Sequence, residues 1–176
     1  SQMSSMSYSP YGVMKRVGEL YTKSLKGVIV KFWNVFGIEK DMEKAHVITD
    51  FIVKGFETGV IDMMTDGTEE REFLYAEDCC EALETIMGCY DQFSSTDELH
   101  ITTGVSTSIL EIAQNIQSLF KSIGKEIKIS PSSSKDEVQK DARNIPDPYI
   151  RKWWTPKTTV VDGISKVFDE IKLEYS

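Results

Sequence analysis

The sequence predicts a mixed α/β fold, and three observations lead to that class. Segments with apolar residues at helical spacing alternate along the chain with short β-branched and aromatic runs. The run 28–36, VIVKFWNVF, is apolar throughout, as in a strand of a parallel sheet that is buried on both faces. With 40% hydrophobic and 27% charged residues and no internal repeat or linker, the 176 residues have a globular composition.

The first half of the chain contains two predicted helices and two predicted strands. The first helix begins at Ser9-Pro10, with Ser9 as N-cap, and ends at Lys26-Gly27. The strand over 28–36 follows it. A second helix is predicted from Ala45 to Thr58, ended by Gly59, and a short strand then leads to a turn at Asp66-Gly67.

The second half continues the alternation. The strand REFLY precedes a helix whose predicted N-cap is Asp78, with Glu81 three residues later. A strand over LHITTG is followed by a helix with Ser108 and Glu111 as a capping box, and EIKIS is a brief strand. The polar residues 131–142 are predicted to form an exposed loop. The apolar face of the last helix is expected to consist of Val161, Ile164, Phe168 and Ile171.

Composition excludes several classes of function. A net charge of −8 and a pI near 4.9 argue against nucleic acid or an anionic membrane as a partner. No apolar run has the length of a membrane span, and the first ten residues lack the regions of a signal peptide. The three cysteines form neither a disulfide framework nor a zinc pattern, so we expect reduced thiols in a cytoplasmic protein. His46 and His100 have no partners at metal-ligand spacing, and we expect no metal site.

Tyr11 and Lys15 form the clearest candidate for chemistry. They are four residues apart on the first predicted helix, so both side chains project from one face. The helix N-terminus and the nearby ammonium both attract negative charge, which suits a phenol that accepts and returns a proton. The alternative is chance spacing on a surface helix, since both residue types are common.

A series of sequence blocks resembles the extended short-chain dehydrogenases/reductases. The string SPYGVMKRVGE is similar to the family's catalytic helix, S-P-Y-x-x-x-K-x-x-x-E, and KFWNVFG to its R-[YF]-x-N-x-[YF]-G strand. Three further strings, VITDFI, TDGTEEREFLYAEDC and HITTGVSTSILEIAQNI, resemble the family's next blocks in the same order. The string RNIPDPYIRKWWTPKTTVVDGI is similar to its last block. The subfamily indicated is the NAD-dependent sugar-nucleotide epimerases and dehydratases.

This resemblance implies the C-terminal part of a Rossmann-type extended fold. Residues 1–37 would be a remnant of the NAD-binding Rossmann domain, with the catalytic helix and a late strand of its sheet. Residues 38–176 would be the small mixed α/β lobe that binds substrate. The Gly-rich turn that receives the NAD pyrophosphate is absent from the sequence, as is the Ser/Thr that normally precedes the tyrosine. We therefore expect that the N-terminal half is missing, and that this chain alone binds NAD weakly or not at all and has no turnover.

The resemblance also implies roles for individual residues around the cofactor. Tyr11 would be the acid/base for a sugar hydroxyl, and Lys15 would assist it and bind the nicotinamide ribose. Phe32 would lie beside the nicotinamide. Lys31 stands where the family usually has arginine, a departure that puts the substrate class in doubt.

Three residues would bind the diphosphate of a nucleoside-diphosphate sugar: Asn34, Arg71 and Arg143. Asn34 has an amide donor without charge, and Arg71 has a planar fork of donors that matches phosphate oxygens. The alternatives are an Asn34 that only hydrogen-bonds backbone at a strand end, and an Arg71 that is a solvated charge among glutamates.

The function expected of the complete protein is that of an isomerase, an NAD-dependent sugar-nucleotide epimerase acting as a homodimer. A 4,6-dehydratase or decarboxylase of the same family is the first alternative. The second is a natural short protein that serves as a non-catalytic binding module. The sequence leaves open the nucleotide, the sugar, and the choice between NAD and NADP.

Overall fold

Helices and strands alternate along the chain, as the sequence predicts. The computed structural model describes residues 10–39, 41, 45–136 and 145–175. In chain order, helices α1 to α5 are Pro10–Ser24, Val47–Thr58, Ala76–Gly88, Ile109–Ser122 and Val160–Glu174. Strands β1 to β7 are Ile29–Phe32, Asn34–Phe36, Val60–Asp62, Glu70–Tyr75, Glu98–Ile101, Ser106–Ser108 and Lys128–Ser130. Two short 3-10 helices are Tyr90–Gln92 and Pro148–Lys152.

The run 28–36 forms two strands rather than one. β1 pairs in parallel with β5, whereas β2 pairs in parallel with β4, so the chain changes sheet at Trp33. The Trp33 N–H still donates to the Ile101 carbonyl at 3.3 Å, and Asn34 is already opposite Phe73. The prediction of one continuous strand is therefore wrong, because its two halves have different partners.

The remaining strands complete two small sheets. β4 is the middle strand of a three-stranded sheet, parallel to β2 and antiparallel to β6. β3 and β7 pair in parallel, with Ile61 opposite Ile129. Parallel pairs joined through helices are typical of α/β proteins, which agrees with the predicted class.

Two hydrophobic clusters form the core. The larger cluster packs α2, α4 and α5 against β2, β3 and β4, and Phe120 and Phe168 are among its fully buried side chains. The smaller cluster lies between β5, α3 and the second 3-10 helix, and Val30 of β1 packs against it. The boundary at residue 37 remains a prediction, and residues before it, such as Val30, pack against this smaller cluster of residues after it.

Local signals for helix ends are confirmed at two helices. α2 ends where Gly59 adopts a left-handed conformation, φ 70°. The α4 capping box is complete, because the Ser108 side chain accepts from the Glu111 N–H and the Glu111 side chain accepts from the Ser108 N–H.

Two other helix predictions are wrong in detail. Asp78 is not an N-cap, because α3 begins at Ala76 after Tyr75. Its buried carboxylate instead accepts from the backbone N–H groups of Lys157 at 3.1 Å and Thr158 at 2.8 Å. In α5, Val160 is buried and Val161 is exposed, so the apolar face begins one residue earlier than predicted.

Helix α1 is present as predicted, but it buries no residue. Its exposed large hydrophobic side chains are six: Tyr11, Val13, Met14, Val17, Leu20 and Tyr21. The predicted N-cap Ser9 and most of the loop beyond residue 136 lie outside the described residues. Within the described part of the chain, no helix is long and apolar enough to cross a membrane.

Candidate functional site

Ion pairs hold α1 against the β1–β5 pair. Lys31 Nζ of β1 lies 2.7 Å from Glu98 Oε2 and 3.5 Å from Glu19 Oε1. Lys23 Nζ lies 3.2 Å from Glu98 Oε1. Glu98 is opposite Ile29, at the amino end of these parallel strands. The C-terminal part of α1 is therefore at the amino end of β1, and the helix runs antiparallel to the strand.

This direction places the predicted acid/base pair near the carboxyl ends of the strands. Tyr11, Lys15 and Glu19 are spaced four apart, so they share one stripe of α1. One such step along a helix is about 6 Å, and two residues of a strand span about 6.6 Å. Starting from the contact of Glu19 with Lys31, these ideal spacings would put Lys15 about level with Trp33 and Tyr11 one step beyond. The Lys15 Nζ is 5.3 Å from the centroid of the Tyr11 ring.

Trp33 is a site candidate that the sequence analysis missed. His100 is opposite Lys31 in the β1–β5 ladder, and the rings of Trp33 and His100 are 6.1 Å apart. The Trp33 ring is therefore on the side of the sheet that faces α1. The alternation of side chains along β1, counted from Lys31, is the sequence signal that could have found it.

Phe32 is on the other side of the strand. Neighbouring residues of a strand point to opposite faces, so Phe32 projects away from the face that carries Lys31. Its side chain is 52% exposed at the carboxyl end of β1. The structure does not bring Phe32 together with Tyr11 and Lys15, and its role beside a nicotinamide stays a prediction.

Asn34 and Arg71 project from one face of the β2–β4 sheet. Asn34 is opposite Phe73, and Arg71 is two residues before Phe73 on β4, so alternation puts both on the same side. The Asn34 amide donates to the Glu72 carbonyl at 3.1 Å, as the backbone-binding alternative predicts. The Arg71 guanidinium pairs with the Asp136 carboxylate, so Arg71 is not simply a solvated charge. Arg143 lies outside the described residues.

A buried carboxylate, that of Glu72 on the opposite face of β4 from Arg71, was not predicted. Glu72 accepts from the Thr102 hydroxyl and from the Gly104 N–H, the latter at 3.0 Å. Arg151 donates to the Thr102 carbonyl at 2.8 Å. Burial lowers the pKa of the Arg151 guanidinium, and the nearby Glu72 carboxylate opposes that shift. This network anchors the turn that follows β5, at the carboxyl ends of β1 and β5, where Trp33 also lies.

A cavity among the described residues lies elsewhere. It has a volume of about 410 Å³ and is lined by Thr96, Asp97, Glu98, His100, Asp147 and Tyr149. These residues surround the amino end of β5, and three carboxylates make the cavity a poor site for an anionic diphosphate. Among the described residues, no group of three or more His, Cys, Asp or Glu could hold a metal ion.

Two known proteins resemble this chain in sequence. A GDP-L-fucose synthase of Sinorhizobium fredii is 28% identical over 134 residues, which are 73% of this chain and 41% of that protein. A putative UDP-glucose 4-epimerase of Methanocaldococcus jannaschii is 28% identical over 171 residues, 93% of this chain and 53% of that protein. The chain thus spans about half the length of these relatives.

A solved structure shows the same fold. The structure of an epimerase from Methanothermobacter thermautotrophicus matches with a TM-score of 0.82 at 19% identity, over 99% of this chain and 52% of that one. This likeness confirms the Rossmann-type α/β fold class. The sequence pattern of the NAD dependent epimerase/dehydratase family matches residues 3–101, more than half of the chain. This protein chain therefore belongs to the NAD dependent epimerase/dehydratase family.

Proposed function

We propose that this chain provides the acid/base helix and the substrate lobe of an NAD-dependent sugar-nucleotide epimerase. The direction of α1 is the observation that carries the proposal. Glu19 and Lys23 bind the β1–β5 pair from the C-terminal part of the helix, which puts Tyr11 and Lys15 near the carboxyl ends of β1 and β5. Ligands of open α/β sheets bind at that end of the strands.

In this proposal, Tyr11 moves a proton at a sugar hydroxyl. As a phenolate, its oxygen takes the hydroxyl proton when the sugar carbon is oxidised; as the resulting phenol, it returns that proton when the carbon is reduced, and the phenolate forms again. The Lys15 ammonium, which lies near the Tyr11 ring, stabilises the negative charge that forms on the phenol oxygen. When bound, NAD supplies a reversible acceptor for the hydride of that carbon.

The described residues fit one end of NAD. Lys15 offers an ammonium for the hydroxyls of the nicotinamide ribose, and the Trp33 ring offers an apolar surface on the same side of the sheet. The Gly-rich turn that would hold the pyrophosphate does not occur in the 176 residues. We therefore infer that these residues alone hold NAD weakly.

The substrate proposed is a nucleoside-diphosphate sugar. Asn34 and Arg71 lie on one face of the β2–β4 sheet, where an amide and a guanidinium together suit phosphate oxygens. Because Arg71 is already paired with Asp136, a bound diphosphate would compete with that carboxylate. Arg143 is proposed for the same diphosphate. The two relatives are named for GDP- and UDP-linked sugars, which agrees with this substrate class.

We also propose a homodimer for the complete protein. Met14, Val17, Leu20 and Tyr21 expose apolar surface along α1, which a second copy of the chain would cover. Light scattering on the natural protein tests this inference, and a monomer at micromolar concentration would contradict it.

A non-catalytic binding module is the second candidate function. The observation that favours it is that Asn34 and Arg71 share one face of the β2–β4 sheet, because these two side chains suit a diphosphate whether or not NAD is bound. A dehydratase or decarboxylase would use the same Tyr11 helix. Product analysis with UDP-linked and GDP-linked sugars separates these reactions from epimerisation.

Replacement of Tyr11 tests the catalytic role. Tyr11→Phe in the natural protein is expected to lower turnover by about 10²–10⁴-fold, while the affinity for sugar nucleotide changes little. Tyr21→Phe is the matched control, because Tyr21 lies on the same helix and is equally exposed, at 66% against 64%. Near-normal turnover in Tyr11→Phe would contradict the catalytic role and favour the alternative that Tyr11 and Lys15 are four residues apart by chance.

A further inference from the structure

Lys31 has a central place among the charges that link α1 to the sheet. Its ammonium lies between two carboxylates, Glu19 on α1 and Glu98 on β5. Each carboxylate has a second cation on the helix, since Arg16 pairs with Glu19 and Lys23 with Glu98. The five groups form a chain of alternating charge that runs from the middle of α1 to the amino end of β5.

The network matters because α1 has little else to hold it within the described residues. None of its side chains is buried, so apolar packing contributes little to its docking. A helix of 15 residues is marginal in water without tertiary contacts. The Tyr90 hydroxyl adds a hydrogen bond of 3.2 Å to the Lys26 carbonyl, which lies just beyond the C-terminal end of the helix.

Glu19 controls the rotation of the helix as well as its distance from the sheet. It continues the stripe that contains Tyr11 and Lys15, two and one turns away. Each residue of a helix is rotated by about 100° from the last, so Lys15 and Tyr11 lie about 40° and about 80° around the helix from Glu19. Binding Glu19 to a residue of β1 therefore keeps both on the side of the helix towards the sheet, whereas a contact at Leu20, about 180° from Tyr11, would turn Tyr11 away.

We propose that Lys31 is a positioning residue that, through Glu19 and Glu98, sets the direction and rotation of the Tyr11–Lys15 helix. Its effect on catalysis rests on the function proposed above, whereas its effect on helix docking does not. The three side chains are only 18–33% exposed, so solvent screens them less than an ordinary surface pair. The hydrogen bond from Lys31 also lowers the pKa of Glu98, with partial burial acting against it, which agrees with a close contact between the two groups.

Lys31 also occupies the position where the family usually has arginine. An ammonium is a point charge with three donors, whereas a guanidinium offers five donors in a planar fork. Both can bridge two carboxylates that lie close together. Lys31→Arg is therefore the conservative variant that should keep the network, and Lys31→Met removes the charge while it keeps most of the apolar stem.

Hydrogen exchange of the α1 amides in this chain measures docking without any assay of activity. We expect Lys31→Met and Glu19→Gln each to raise the exchange rate of the α1 amides roughly 5-fold. This factor corresponds to a loss of about 1 kcal/mol in the free energy of helix docking, the contribution of one partly buried ion pair. Lys31→Arg should exchange like the parent chain. Lys54→Met is the matched control, since it removes another lysine in an ion pair, with Asp50 at 2.8 Å.

The double variant distinguishes a shared contact from two separate effects. If Lys31 and Glu19 act through each other, Lys31→Met with Glu19→Gln should exchange little faster than either single variant. Unchanged α1 exchange in both single variants would overturn the proposal. If Lys31→Met loses protection throughout the chain, Glu19→Gln, which changes a helix residue outside both core clusters, decides the outcome instead.

Turnover of the natural protein tests the link to catalysis. Lys31→Met should lower kcat with little change in the affinity for sugar nucleotide, and Lys31→Arg should restore kcat. If Tyr11→Phe leaves turnover intact while Lys31→Met loosens α1, the proposed function fails and the docking role stands. If Tyr11→Phe abolishes turnover while Lys31→Met changes neither exchange nor kcat, the positioning role fails alone.

Discussion

Asp78 is expected to be among the most sensitive polar positions of the chain. Its side chain is 4% exposed and lies in the first turn of α3, where it accepts three hydrogen bonds from the segment before α5. Two come from the N–H groups of Lys157 and Thr158, at 3.1 and 2.8 Å, and one from the Thr158 hydroxyl at 3.2 Å. Because α3 belongs to the smaller core cluster and α5 to the larger one, Asp78 joins the two cores.

The cost of removing this carboxylate follows from those bonds. A hydrogen bond to a charged group contributes about 1.5–3 kcal/mol, and three bonds to one carboxylate are not additive. We therefore expect Asp78→Ala to lower the free energy of unfolding by about 3 kcal/mol, since it also leaves donors without a partner. For a chain of 176 residues, each 1 kcal/mol lowers Tm by roughly 2–4 °C, so the expected loss is about 6–12 °C.

Urea and thermal unfolding followed by circular dichroism measure this loss. Asp78→Asn keeps the shape and one acceptor oxygen, so its loss should be smaller, about 1–2 kcal/mol. Asp169→Ala is the control, because Asp169 is an exposed aspartate within α5. A loss for Asp78→Ala no larger than that of the control would refute the reasoning.

Three further predictions concern packing, pH and cofactor. Gly163→Ala should lower the free energy of unfolding by about 1–3 kcal/mol in urea titrations, because the new Cβ would lie 2.6 Å from Phe36 Cζ. Gly88→Ala is the control, since a Cβ at Gly88 would have no atom within 4 Å. Equal losses in the two variants would contradict the packing argument. Burial, aided by nearby Lys31, lowers the pKa of His100 below 6.5 in the folded chain. As the pH drops, the His100 side chain is therefore protonated more readily in the unfolded chain than in the folded one. The free energy of unfolding should fall as the pH drops below about 6.5. His100→Asn should remove that dependence, and an NMR titration midpoint at or above 6.5 would be inconsistent with it. Calorimetric titration of NAD into this chain should show weak or undetectable binding, and a micromolar constant would mean that the missing Gly-rich turn is dispensable.

Part of the site could be predicted from the sequence because it depends on spacing within one element. The four-residue spacing puts Tyr11 and Lys15 on one helix face whatever surrounds the helix. Asn34 and Arg71 were also chosen from the sequence, by resemblance. Trp33 and Glu72 were missed because their surroundings come from other segments: Trp33 faces His100 of β5, and Glu72 accepts from the turn at Gly104.

The sequence by itself determined the α/β class and two of the helix ends, the start of α4 and the end of α2. The Ser108–Glu111 capping box and the stop at Gly59 depend on groups a few residues apart, so their chemistry can be read directly from the order of residues. Only the tertiary structure decided the break at Trp33, the partners of Asp78 and the direction of α1. Each of these features depends on which distant segment contacts the residue, because strand pairing and ion pairing join groups far apart in the chain. A local sequence pattern carries no information about which distant groups will pair.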